Sequence, residues 1–161
     1  MLRLSWMISL GIALLGVMVI QHFFSLSAEE RAGGGNLGAV GITLVLPFIL
    51  LSLFTTFRYF VDKARKAQDK ILRALFLIGG IALIGALIYF SLNYKDGVYI
   101  ELGGTTKDEE SKIYGFPVLN EYTNHVFINF YTFALIQTIS AVFGGIIGTL
   151  KQIKTDEAFQ E

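Results

Sequence analysis

His22 and His125 are the only histidines in this 161-residue chain, which contains no cysteine. Two imidazoles can clamp a haem iron from opposite faces, or hold a divalent metal with carboxylates such as Glu29, Glu30 or Glu121. The helical wheel argues against a shared site. His22 lies away from Ser5, Ser9, Ala13 and Gly16, the small-residue stripe of its own segment, so it faces lipid headgroups or a partner rather than His125. The expectation is no metal and no cofactor, with His22 and His125 the only residues from which a ligand pair could be drawn. Without cysteine, disulfides, thiolate metal centres and cysteine nucleophiles are excluded outright.

The second group with chemical potential is Asn129, Gln137 and Ser140, which share one helical face with His125, Gly144 and Gly148. Carboxamides there could line a path for an ion or solute, or hydrogen-bond to neighbouring helices at ~0.6–2 kcal/mol each. Gly144 and Gly148 form GxxxG, the spacing that lets two helix backbones approach closely. The expectation is a packing or partner-docking face. No ionisable residue lies deep in an apolar stretch, as a proton relay would require. No serine sits in a GxSxG turn or beside a histidine base, so no catalytic residue is assigned and the chain is not read as an enzyme. Gly33-Gly34-Gly35 follows no strand and lacks a Lys-Ser/Thr partner, so it reads as a flexible turn with Asn36 at a left-handed position, not a phosphate loop.

The third group is cationic: Arg58, Lys63, Arg65, Lys66, Lys70 and Arg73, within one segment between two apolar runs. Such a cluster beside a membrane fixes topology and could also bind anionic lipid headgroups. Nothing in it points to nucleic acid.

These residues need elements to carry them. More than half the residues are apolar and the mean hydropathy is +0.59. The polar residues are bunched into loops, leaving apolar runs of about 20 residues, the length a helix needs to cross ~30 Å of hydrocarbon. The pattern predicts an all-α integral membrane protein, a single domain built as a four-helix antiparallel bundle. The expected spans are 4–26, 37–60, 71–92 and 123–150, with a basic segment at 61–70 and a tail at 151–161. The first stretch exceeds the ~7–15 residues of a signal-peptide core and reads as a retained helix. A kink is expected at Pro47. Asp62/Lys66 and Asp69/Arg73 are spaced for i,i+4 pairs, and Gly79, Ala82 and Ala86 for a close-packing stripe.

The loop 93–122 is the only long aqueous stretch. Val98 to Leu102 and Ile113 to Phe116 read as two short strands of a β-hairpin lying over the bundle mouth. Lysine and arginine crowd the basic segment, while the other loops carry more acid than base. The topology expected is therefore multi-pass in a cell membrane with both termini cytoplasmic. The functional expectation is a non-catalytic accessory or interaction subunit, whose fourth span or outer loop meets a protein partner or a second copy. The alternatives are a homo-oligomeric channel or small transporter using the polar face of span four, and a haem- or metal-binding redox subunit.

Overall fold

The computed structural model describes residues 1–31, 33 and 35–158, with side chains described as far as Ile153. The chain is helical: α1 (Leu2–Phe23), α2 (Leu37–Lys66), α3 (Lys70–Glu101), the single turn α4 (Asn124–Phe127) and α5 (Phe130–Ala158). Among the described residues there are four helices long and apolar enough to cross a membrane, and no strand. Large apolar side chains face outward along all four, among them Leu15, Leu44, Ile78 and Phe143.

The helices run up, down, up and down, but they are not equivalent. The central contact is between α2 and α5, which run in the same direction: Ser52 meets Gln137, and further along Val61 meets Gly148. Helix α1 packs antiparallel on α2, burying Ser9, Ala13, Val17 and Ile20. Its stripe is therefore turned inward from Ser9 onward, with Gly16 against Val45, while Ser5 is exposed. Helix α3 packs antiparallel on α5 and is peripheral, with 11% of its most apolar window buried against 39% for the 124–153 span. A core of Ala13, Val17, Ile49 and Phe133 joins α1, α2 and α5.

Several local expectations change. Val98 to Leu102 is not a strand, because α3 continues to Glu101. Helical spacing puts Val98 and Leu102 on one face, where they pack with Ile113 and Tyr122 in a small outer core, and that burial outweighs the β preference of Val and Ile. The helix stops where glycine permits: Gly103 has φ +76, its N–H donates to Ile100, and the Gly104 N–H donates to Tyr99, a Schellman ending. Ile113 to Phe116 is a run of turns. This outer cap is tied to the 24–37 connection by Leu26 N–H to Glu121 (2.9 Å), Tyr122 Oη to the Glu30 carbonyl (2.8 Å) and the Lys112 ammonium to the carbonyls of Ala28 and Glu30.

The basic segment stays helical through Lys66 and turns within Ala67–Asp69. Asp62 and Lys66 pair at 2.8 Å. Asp69 does not pair with Arg73: its carboxylate accepts from the N–H groups of Ile71 and Leu72 and caps α3. Helix α2 passes through Pro47 uninterrupted. Asn36 is not left-handed, with φ −77; it caps α2 by accepting from the Ala39 N–H. Part of the glycine turn before it, Ala32 and Gly34, lies outside the described residues, as do Phe159 to Glu161 of the tail. The stripe Gly79, Ala82 and Ala86 points outward, and it is Gly80 that meets α5, at Val142.

Candidate functional site

Trp6, Ser9, Ser52, Thr55, Thr56, Gln137 and Ser140 form one polar seam between α1, α2 and α5. Its centre is Gln137, buried at 8% exposure. The carboxamide reaches two hydroxyls one helical turn apart on α2: Nε2 donates to Ser52 Oγ at 2.5 Å, and Oε1 accepts from Thr56 Oγ1 at 2.7 Å. That i,i+4 spacing is why both hydroxyls face α5. Thr56 in turn accepts from the Trp6 indole at 2.9 Å, which carries the seam across to α1. Ser9 and Thr55 share a hydroxyl bond of 2.6 Å beside it, and Ser140 donates to the Leu53 carbonyl at 2.8 Å.

Below Ser140 the seam gives way to backbone packing. A Cβ on Gly144 would lie 2.5 Å from the Phe57 carbonyl oxygen, and one on Gly148 would lie 2.5 Å from that of Val61. Those oxygens belong to a helix backbone and cannot turn aside. The GxxxG face of α5 is therefore filled by α2 of the same chain.

Asn129 does something else. It stands between α4 and α5, with Nδ2 donating to the carbonyls of His125 (2.8 Å) and Val126 (2.9 Å). Its Oδ1 accepts from the Thr132 N–H at 3.0 Å, while Thr132 Oγ1 accepts from the Asn129 N–H at 3.1 Å, a reciprocal capping box. Span four is thus broken at residues 128–129, and Asn129 closes both ends of the break. A second amide pair was not anticipated. Asn124, fully buried, donates to Asn36 Oδ1 at 2.6 Å, and Gly38 provides the space, since a Cβ there would meet both Asn124 and the Phe24 carbonyl.

The histidines part company. His22 is exposed on α1, whereas His125 is half-buried against the Tyr94 ring (5.9 Å) with Nδ1 shielded and unpartnered. Among the described residues no three His, Asp or Glu side chains are grouped as a metal site would need. The cations occupy one end of the bundle. Arg58 lies over the Phe54 ring and Lys63 over the Tyr59 ring, both at 5.8 Å. Arg65 and Lys70 are exposed, and Arg73 Nη1 donates to Gln152 Oε1 at 2.8 Å.

The seam can hold three helices in one register; it offers no nucleophile with a base. Comparison with family models, with curated proteins and with solved structures finds no match.

Proposed function

We propose that this chain is a multi-pass membrane protein acting as a non-catalytic accessory subunit, a rigid four-helix module that docks to a membrane partner or a second copy. The observation that carries the reading is the saturation of the seam. Gln137, Ser52, Thr56, Ser9 and Ser140 hydrogen-bond to one another or to neighbouring backbone, so no row of polar groups is left to line a path through the bundle. Helix α3 supports the docking half. Its outward stripe Gly79, Ala82 and Ala86 is uncovered, with nothing within 4 Å of a Cβ on Gly79, and small residues are how membrane helices approach one another. In this reading the basic end faces the cytoplasm and the outer cap the opposite side.

Flux and cross-linking test it together. Reconstituted in liposomes, the protein is expected to pass neither monovalent cations nor small anions faster than protein-free vesicles. The chain lacks cysteine, so Ala82→Cys places a single thiol on α3, and it is expected to form a stoichiometric cross-linked adduct in native membranes. A flux that Gln137→Leu abolishes would replace this reading with the channel. A Soret band in the purified protein would replace it with the redox subunit.

A further inference from the structure

Where α2 turns into α3, the bundle holds a cavity of ≈ 750 Å³. One wall is aromatic: Trp6 and Tyr59 stack with ring centroids 4.3 Å apart and an interplanar angle of 5°. The opposite wall is α3, with Phe76 and Arg73, and Gly145 of α5 forms part of the lining. The lining carries three cations, Lys63, Lys66 and Arg73, against one carboxylate, Asp62. Asp62 is already engaged by Lys66 at 2.8 Å.

Arg73 is the informative side chain. Gln152 accepts from Nη1 of its guanidinium and Nε is shielded inside the protein, so a ligand in the cavity would meet the Nη atoms. The one carboxylate of the lining, Asp62, is paired with Lys66, so it does not neutralise Arg73. The guanidinium fork suits phosphate oxygens, which accept from two of its N–H groups at once. Beside it the aromatic wall favours hydrocarbon. A ligand matching both halves is an amphiphile with a phosphodiester head, and the cavity sits at the end of four helices long enough to cross a bilayer, the level at which such heads lie.

We propose that this cavity binds one anionic phospholipid, its phosphate held by Arg73 and Lys63 and an acyl chain laid against Trp6, Tyr59 and Phe76. The inference rests on the membrane reading and not on the accessory role, so a channel could carry the same site.

Trp6 is the sole tryptophan and lines the cavity, so its fluorescence reports occupancy in the full chain. The protein is reconstituted in phosphatidylcholine vesicles, and acyl-brominated phosphatidylglycerol or acyl-brominated phosphatidylcholine is titrated in as quencher. Phosphatidylglycerol is expected to quench Trp6 at several-fold lower mole fraction. Arg73→Gln and Lys63→Gln are each expected to lower that preference about fivefold, from roughly 1 kcal/mol per basic residue at a membrane surface. Arg73→Lys, which keeps the charge and loses the guanidinium fork, should lie between wild type and Arg73→Gln. Lys70→Gln removes a cation from the same end but outside the cavity, and should leave the preference unchanged. Equal quenching by the two lipids overturns the site, as does a Lys70→Gln effect matching that of Arg73→Gln, which would indicate only a diffuse surface field. Loss of the preference in millimolar inorganic phosphate overturns the lipid as occupant and assigns the cavity to a soluble phosphate.

Discussion

Replacing Gln137 by leucine tests the seam most directly. Leucine keeps most of the side-chain volume, so the cavity contribution is small and the change isolates two hydrogen bonds, to Ser52 and from Thr56. Interhelical bonds of this type are worth ~0.6 to ~1.7 kcal/mol each, so the pair contributes about 1–3 kcal/mol. Stranded partners add little. Ser52 still donates to the Ile49 carbonyl at 2.8 Å. Thr56 keeps the Trp6 indole as donor, and its own hydroxyl can turn to the carbonyl four residues back. The measurement is reversible unfolding in mixed micelles, followed by helical circular dichroism and by Trp6 emission. A double-mutant cycle with Ser52→Ala then separates the shared bond from the rest. A destabilisation of about 1–3 kcal/mol with a coupling of roughly 0.5–1.5 kcal/mol is expected. A stability change below ~0.5 kcal/mol, with no coupling, would show that the seam is incidental and that apolar packing alone sets the register.

The two kinds of glycine should behave oppositely. Gly148→Ala, aimed at the Val61 carbonyl, is expected to destabilise by about 1–3 kcal/mol, as overpacking does; Gly79→Ala, with open space around it, is expected to stabilise by ~0.5–1 kcal/mol through helix propensity, unless a partner occupies that face. In the outer cap, Asp108 accepts from the Thr105 N–H (2.6 Å) and hydroxyl (2.8 Å), and these bonds hold its carboxyl below the ordinary carboxylate value. A depressed carboxylate favours the folded turn above its unfolded pKa and loses that contribution as pH falls through its folded pKa. The protection factors of the amides of residues 105–111, with the intrinsic slowing of exchange in acid divided out, should therefore fall on acidification, and Asp108→Asn should remove that fall. For topology, single cysteines at Gln68 and Lys107 are expected to react with an impermeant maleimide from opposite sides of the membrane. Labelling from the same side refutes the four-crossing arrangement.

The spans were legible because an apolar run of some 20 residues is a compositional fact that later packing does not alter. Their ends were less so. Asn93, Lys95 and Asp96 mark where hydropathy falls, yet none of them stops a helix, and α3 runs on until Gly103 can turn left-handed. The wheel grouped Gln137, Ser140, Gly144 and Gly148 rightly as one face, but whether α2 or another chain fills that face depends on the register of helices some 85 positions apart, which periodicity does not encode. Adjacent Gly79 and Gly80 point about 100° apart, so a small-residue stripe can be drawn through either, and periodicity does not encode which of the two meets α5. Asn129 carries a readable signal in the sequence: Asn-x-x-Thr opening an apolar run is a cap.

The joint Ala67–Asp69 has a mechanical consequence for the cavity beside it. Four Cα steps from Lys66 to Lys70 reach at most ~14 Å, so α2 and α3 are leashed at that end however the far end of α3 shifts. The leash works as a caliper on the entrance. It limits how far the two helices can part beside Lys63, Lys66 and Arg73, whatever the cavity holds.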